Sequence, residues 1–251
     1  MNRTPAATNP TYMAASRVFL TAEWRNLVLL NYEVEPGLLR PFLPRGTELD
    51  RWNNKTFVSL VGFRFLKTRV FGIPISFHSN FDEVNLRFYV RREVDGKLRR
   101  GVVFIKEIVP RRAIAFVART FYNENYVALP MSHDVRLTGH AVEAVYRWRS
   151  GHAWSEITFK SQGEPDVLRD GSQEQFIAEH YWGYAAQSDG GCVEYQVAHP
   201  SWRVWQAQEA SFRGDVEKLY GPKFAAVLRE RPASAFLAEG SEVTVMRGRR
   251  L

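Results

Sequence analysis

Residues 83–112 read EVNLRFYVRREVDGKLRRGVVFIKEIVPRR, and this stretch decides the fold. In its first half apolar and polar residues alternate with a period of two, which is typical of a β-strand with one buried face. Asp95-Gly96 follows, a dipeptide that favours a tight hairpin turn because glycine accepts a positive φ without steric cost. Residues 102–109 return with mixed sidedness, as in a central strand, and Pro110 is expected to open a helix. The stretch therefore predicts an antiparallel hairpin followed by a helix.

The composition is that of a globular protein with a sizeable core. The chain has 251 residues, of which 45% are hydrophobic and 14% are aromatic. Abundant aromatic and β-branched residues favour strands, and a chain of this length can form one domain. No repeat, low-complexity linker or change of composition divides it. We therefore expect one α+β domain dominated by antiparallel strands at residues 17–251, with residues 1–16 as a flexible N-terminal arm.

Charge and cysteine content exclude several classes of protein. The chain carries 34 Lys and Arg against 27 Asp and Glu, a net charge of +7 that is spread along its length, so we expect no nucleic-acid partner. The single cysteine, Cys192, excludes an internal disulfide, and the six histidines lack the spacing of a metal site. No apolar run is long enough for a signal peptide or a membrane span. We therefore expect a cytoplasmic protein without a membrane partner, a metal or a cofactor.

Capping and turn signals predict the remaining elements. Ser172 and Gln175 have the form of a capping box, which predicts a helix over residues 173–184. Residues 215–228 are expected to form another helix, broken at a Gly-Pro step. Strands are predicted elsewhere, including residues 136–148 and 241–246.

Three polar side chains share one face of the strand that begins the hairpin. Glu83, Asn85 and Arg87 are spaced about 6.5 to 7 Å apart along it. They form either the polar lining of a cavity or the solvated face of an antiparallel strand. Two further residues are candidates for ligand binding. Tyr126 lies in a polar segment that either ends a helix or reaches a pocket, and His180 is either a packed core histidine or a pocket group.

Seven short motifs carry a resemblance to a known family. They are WR at 24–25, the segment at 34–44, EVNLR at 83–87, EIVPRR at 107–112, YNENY at 122–126, HYWGY at 180–184 and HPSWR at 199–203. Together they resemble the YqjF-like family of uncharacterised conserved bacterial proteins, within the acetoacetate decarboxylase-like superfamily. The wider link rests on Glu107 followed by Pro110 and a basic pair. It implies a cone-like, strand-built antiparallel barrel with flanking helices around an apolar cavity.

The chain departs from the decarboxylases at that basic pair. In those enzymes both positions are lysine, and the resemblance implies that one lysine forms a Schiff base with a β-keto acid. Here they are Arg111 and Arg112. Arginine keeps its proton, at a pKa of about 12.5 to 13.8, and offers no nucleophile. Lys106 is the nearest amine, but on a strand it points to the opposite face from Glu107. Schiff-base decarboxylation is therefore not expected.

The arginine pair instead indicates an anion site. Two guanidiniums in the first turn of a helix oppose the positive end of the helix dipole, and a carboxylate or a bound anion would offset this. We expect Glu107 to balance one of Arg111 and Arg112, while the other binds an anionic ligand at the helix N-terminus. The alternative is that both arginines form structural or surface ion pairs.

Two functions follow, one without turnover and one with it. The first is a small-molecule-binding protein that holds an acidic or carbonyl-bearing organic compound in a barrel cavity. The second is a lyase or hydrolase in which Glu107 or Glu83 is the general base and Arg111 or Arg112 stabilises an enolate or oxyanion. A scaffold without a ligand is a third alternative. Neither the ligand's identity nor an oligomeric state is predicted.

Overall fold

The computed structural model describes residues 17–75, 79–110 and 125–251. Within them the chain is β-rich with few helices. The strands are β1 (Val18–Val34), β2 (Glu48–Leu49), β3 (Thr56–Val70), β4 (Ile73–Pro74), β5 (Phe81–Val94), β6 (Lys97–Val109), β7 (Tyr126–Ala128), β8 (Met131–Thr138), β9 (Ala141–Ser150), β10 (Ala153–Gln162), β11 (Asp166–Val167), β12 (Trp182–Ala186), β13 (Cys192–Ala198), β14 (Arg203–Gln206), β15 (Glu209–Arg213), β16 (Ser234–Met246) and β17 (Arg249–Arg250). The arm predicted at residues 1–16 and the helix predicted after Pro110 lie outside the described residues.

The described helices are short. They are α1 (Pro36–Leu39), which continues into a 3-10 turn at Arg40–Phe42, α2 (Gln173–Ala178) and α3 (Val216–Leu228). The prediction for residues 215–228 is confirmed, including the break, where Gly221 has a φ of 79°. In the described part of the chain, no helix is long and apolar enough to cross a membrane.

Two sheets contain all the described strands. The smaller sheet has the order β15-β10-β9-β8. The larger sheet runs β16-β1-β3-β5-β6 with antiparallel neighbours, then adds β12 parallel to β6 and β13 antiparallel to β12. β13 also pairs with β16, so the path of paired strands returns to β16.

The central hairpin is confirmed. β5 and β6 pair in antiparallel register up to Val94 opposite Lys97. The turn between them uses positive φ at both positions, 52° at Asp95 and 69° at Gly96, as the Asp-Gly dipeptide predicts.

The helix predicted over residues 173–184 is correct only in its first half. Its start is confirmed, because Ser172 Oγ accepts a hydrogen bond from the backbone N–H of Gln175 at 3.1 Å. The helix ends at Ala178, however, and β12 follows. Gly183 shows the reason: it lies opposite Tyr195 on β13, and a Cβ there would overlap the tyrosine ring. Packing between distant strands therefore overrides the local helical pattern.

Two predicted strands differ in extent from the observed ones. The strand predicted at residues 136–148 is two strands, β8 and β9, which meet in a hairpin at Gly139 with a φ of 59°. The closing strand predicted at residues 241–246 begins earlier, at Ser234, because β16 pairs along nearly the whole of β1.

Both faces of the large sheet are buried, and alternate residues divide between them. On β1, Val28 and Leu30 pack in a cluster with side chains of the small sheet and of α3, such as Tyr146. Leu27 and Leu29 pack in a second cluster that includes residues of α2. The dense apolar run of β1 therefore follows from a strand that faces protein on both sides.

An irregularity in β1 lies beside one glycine of β16. Asn26 has a φ of 55°, and the register of β1 with β3 shifts between Arg25 and Val28. Gly240, which pairs with Arg25, has a φ of 81°, and a Cβ there would overlap the backbone carbonyl of Trp24. A residue with a side chain would be strained by both its backbone conformation and this contact.

We predict that Gly240→Ala lowers the free energy of unfolding by at least about 2 kcal/mol, because neither the left-handed conformation nor the backbone contact can relax cheaply. Urea denaturation measures this change. Gly37→Ala is the matched control, since no atom lies within 4 Å of the position that a Cβ would take there, and it should stay within about 1 kcal/mol of the wild type. Equal stability of the two variants would contradict the proposed constraint.

Candidate functional site

A cavity of about 180 Å³ lies on the inner face of the large sheet. Its walls are mainly aromatic and aliphatic, and they come from strands distant in sequence. The aromatic walls include Trp24, Phe63, Phe65, Phe81, Phe104 and Trp202. A small set of polar and ionisable side chains interrupts this apolar surface, as in small-molecule sites.

Six of the eight residues predicted for the site line this cavity. They are Glu83, Asn85, Arg87, Glu107, Tyr126 and His180. The polar face of β5 therefore borders a cavity and is not a solvated face. Arg111 and Arg112 lie outside the described residues. The roles of all eight in binding or catalysis stay predictions.

Residues on the neighbouring strands β5, β6 and β7 form the part of the site that contains its carboxyl groups. Asn85 on β5 lies opposite Glu107 on β6, and Glu107 lies beside Tyr126 on β7. Asn85 Nδ2 donates a hydrogen bond to Glu83 Oε1 at 2.9 Å, and the Tyr126 hydroxyl donates to Glu83 Oε2 at 3.3 Å. Glu83 is 3% exposed and Glu107 is 1% exposed. Two buried carboxyl groups thus share one polar cluster.

A bulge in β6 explains how Glu107 reaches the cavity. The register with β5 shifts so that Leu86 lies opposite Lys106 while Arg87 lies opposite Phe104. Phe104 and Glu107, three positions apart, consequently both line the cavity. The mixed sidedness of this strand in the sequence reflects the bulge as well as burial.

Arg87 is the cationic side chain among the described residues that line the cavity. Its guanidinium lies 5.9 Å from the ring centre of Tyr89. Among the described residues it forms no ion pair, and its Nε atom has no hydrogen-bond partner. Other arginines on this hairpin form ion pairs with carboxylates: Arg92 pairs with Glu194, and Arg100 pairs with Asp50. Within residues 17–75, 79–110 and 125–251, no carboxylate therefore balances the charge of Arg87.

His180 is held neutral and oriented by a carboxylate. Its Nε2 lies 3.3 Å from Asp50 Oδ2, which also accepts a hydrogen bond from Arg100 Nε at 2.7 Å. Burial lowers the pKa of His180 to about 4, against the opposing effect of Asp50, while Arg100 and Arg87 lower it further. Burial raises the pKa of Asp50, but the hydrogen bonds from His180 and Arg100 outweigh this and bring it to about 2. The proton therefore sits on Nε2, and Nδ1 carries a lone pair.

His199, the first residue of the motif at 199–203, also lines the cavity, although it was not among the predicted site residues. Its Nδ1 lies 2.8 Å from the carbonyl oxygen of Pro200, which assigns the proton to Nδ1. The ring stacks on Trp202 at 4.1 Å and lies 4.8 Å from Tyr181. Burial lowers the pKa of His199 to about 4, and the charge of Arg87 acts in the same direction. The aromatic residues close to His199 in the sequence could have indicated a site. Its place in the same cavity lining as Arg87 could not be predicted from the sequence.

Lysine is absent from the cavity. All seven lysines of the chain fall within the described residues, and none of them lines it. Lys106 precedes Glu107 on β6 and is half-buried on the other face of the strand. The described cavity therefore offers no amine for a Schiff base.

We predict that acidification from about pH 6.5 to about pH 4 destabilises the protein. In this window the unfolded chain protonates its histidines, whereas the folded protein keeps His180 and His199 neutral. The unfolded state thus binds more protons, so stability falls as the pH falls. For one histidine the slope approaches about 1.4 kcal/mol per pH unit. Asp50 stays ionised throughout, since its pKa is about 2.

Urea denaturation at several pH values measures this slope. His180→Gln should reduce it, because the variant removes one group that protonates only on unfolding. His152→Gln, at an exposed position outside the cavity, is the matched control for the substitution itself. Identical slopes for the wild type and His180→Gln would contradict the assignment of a neutral His180.

Comparison with known proteins gives the family and the fold. The sequence model of DUF2071, described as an uncharacterised conserved protein, matches residues 21–242. The uncharacterised protein YqjF of Bacillus subtilis (strain 168) is 23% identical over 187 residues, which cover 74% of each chain.

Two solved structures show the same fold at low identity. Acetoacetate decarboxylase from Legionella pneumophila has a TM-score of 0.64 at 13% identity, covering 93% of this chain and 87% of that one. The enduracididine biosynthesis enzyme MppR, complexed with pyruvate, has a TM-score of 0.63 at 12% identity, covering 100% and 98%. The chain therefore belongs to the DUF2071 family and has an acetoacetate decarboxylase-like, β-rich fold.

Proposed function

We propose that this protein binds a small organic carboxylate in the cavity, with Arg87 as the residue that pairs with the carboxylate group. The observation that carries the proposal is a guanidinium on an apolar cavity wall that forms no ion pair within the described residues. Taking a charge out of water costs several kcal/mol unless a counter-charge and hydrogen bonds compensate. A carboxylate ligand supplies both, because it accepts two parallel hydrogen bonds from one guanidinium.

The size of the cavity limits the ligand to a small molecule. A volume of about 180 Å³ is close to that of an engineered 150 Å³ apolar cavity that accommodates benzene. A carboxylate with a short aliphatic or aromatic remainder fits this space. The apolar walls favour such a remainder over a heavily charged one.

We also infer that the large sheet forms a cone-like barrel around the cavity within one domain at residues 17–251. The return of the strand path from β13 to β16 supports this arrangement. The MppR complex with pyruvate supports the ligand class, because it is a protein of this fold in complex with a small 2-oxo acid. The single cysteine is consistent with a reducing cytoplasm as the site of action.

A lyase or hydrolase is the second candidate, and the cluster around Glu83 favours it. Two buried carboxyl groups and a tyrosine hydroxyl meet in one cavity, and burial is what prepares a carboxyl group for proton transfer. In this reaction Glu107 or Glu83 removes a proton from the substrate. In this candidate reaction Arg87 stabilises the resulting enolate or oxyanion, a role that the sequence predicted for Arg111 or Arg112.

We predict that Arg87→Met lowers the affinity for small carboxylates such as pyruvate and 3-methylbutanoate by at least about tenfold. Isothermal titration measures the affinity. The same variant should keep, or exceed, the unfolding free energy of the unliganded wild type, because it removes a charge without a partner in the described structure. Arg136→Met is the control, since Arg136 is exposed on β8 and pairs with Asp134. Unchanged carboxylate affinity in Arg87→Met would contradict the proposal.

We predict that any turnover of β-keto, 2-oxo or acyl substrates is lost in Glu107→Gln and proceeds without a covalent imine. Borohydride added during turnover should therefore leave the mass of the intact protein unchanged, since no lysine lines the described cavity. Absence of turnover across the panel would favour the binding protein over the enzyme. A borohydride-trapped adduct on Lys106 would contradict the chemistry argued for this site.

A further inference from the structure

Several polar atoms on the cavity wall are buried without a partner among the described residues. Two of them are acceptors, Asn85 Oδ1 and His180 Nδ1. Two are donors, Trp24 Nε1 and Arg87 Nε. A buried polar atom that lacks a hydrogen bond is unfavourable, and a cavity that concentrates such atoms is adapted to a molecule that satisfies them. The arrangement calls for a ligand with both acceptor and donor groups.

His199 adds an acceptor whose orientation is fixed. Because Nδ1 donates to the carbonyl of Pro200, the lone pair lies on Nε2, and Nε2 makes no hydrogen bond within the described part of the chain. Stacking on Trp202 and packing against Tyr181 hold the plane of the ring. The imidazole is half-buried and lines the cavity. It therefore presents a preoriented acceptor that a ligand can use.

Arg87 and both imidazoles line the same cavity. The charge of Arg87 also contributes to the lowered pKa of His180 and of His199. Both rings stay neutral near pH 7, so each offers a lone pair next to a cation. A ligand ammonium at these lone pairs would be repelled by Arg87, whereas a neutral hydroxyl would not.

We propose that the cavity selects carboxylates that carry a hydroxyl group: the carboxylate pairs with Arg87, and the hydroxyl donates a hydrogen bond to Nε2 of His199. This inference rests on the proposed function and specifies its ligand class. A 2-oxo acid lacks the donor and leaves Nε2 without a partner, and so does the unsubstituted acid. The short apolar remainder packs against the aromatic wall formed by Trp24 and Trp202.

The experiment uses the full-length protein and four ligands with one carbon skeleton: 3-methylbutanoate, its 2-hydroxy and 2-oxo derivatives, and valine. Isothermal titration gives each dissociation constant. We expect the hydroxy acid to bind at least about tenfold more tightly than each of the other three, as in sites built to hydrogen-bond a hydroxyl. An amino acid that binds as tightly as the hydroxy acid, or four equal affinities, would overturn the inference.

Two variants assign the discrimination to His199. His199→Phe keeps an aromatic ring against Trp202 but removes the acceptor, so the preference for the hydroxy acid over 3-methylbutanoate should fall to about twofold or less. His199→Gln retains an oxygen acceptor and should keep part of the preference. A preference that is unchanged in His199→Phe would overturn the role of His199. If His199→Phe does not fold, the affinities of the four ligands for the wild type and for His199→Gln test the role of His199 instead.

The outcomes separate this inference from the proposed function. If the four ligands bind equally and Arg87→Met weakens all of them, the carboxylate site stands and the hydroxyl selection fails. If none of them binds to the wild type, or if binding is independent of Arg87, both the carboxylate site and the hydroxyl selection fail.

Discussion

Burial of both faces of the central sheet is the constraint on which the site depends. On β5, Val84, Leu86 and Phe88 are fully buried in the core shared with the small sheet, and the residues between them face the cavity. Strand alternation makes these two sets inseparable, because a slip of one residue would exchange them. Such a slip would place the Arg87 guanidinium in a packed apolar core, which is far more costly than any local gain. The apolar packing outside the cavity therefore holds the polar side chains inside it.

The β6 bulge is the exception to strict alternation, and it completes the site. Without it, Glu107 and Phe104 would point to opposite faces, and only one of them could line the cavity. The extra residue reverses the parity of the strand after Phe104, so that Glu107 comes beside Asn85 and Tyr126. The same reversal turns Lys106 away from the cavity. In a regular strand Lys106, two positions after Phe104, would share the face of Phe104, but here it lies opposite the core residue Leu86. The presence of Glu107 in the cavity and the absence of Lys106 thus follow from a single irregularity in the pairing of two strands.

Sequence patterns over a few residues predicted the features that depend only on neighbouring residues. The hairpin at Asp95-Gly96 and the common face of Glu83, Asn85 and Arg87 follow from turn chemistry and alternation, and both are present. The end of α2 could not be predicted, because residues 179–184 continue the helical pattern, whereas Trp182–Ala186 form β12 by pairing with β6 and β13. The position of His199 is nonlocal in the same way: it lies at the end of β13, and only the pairing of β13 with β12 and β16 brings it to the cavity. Arg111 and Arg112 lie outside the described part of the chain, and Arg87 provides the cation that the described cavity contains.

The order of residues along β5 gives the cavity an electrostatic direction. Glu83 and Arg87 are four residues apart, roughly 13 Å along an extended strand, which is too far for a direct ion pair. Glu83 accepts hydrogen bonds from Asn85 and Tyr126, whereas Arg87 shares the cavity lining with two neutral imidazoles. A neutral histidine cannot compensate the charge of a guanidinium, but it can accept a hydrogen bond. The proposed ligand would therefore bring a negative charge to Arg87 and a hydrogen-bond donor to a histidine, which are the two groups that the described side chains at Arg87 do not supply.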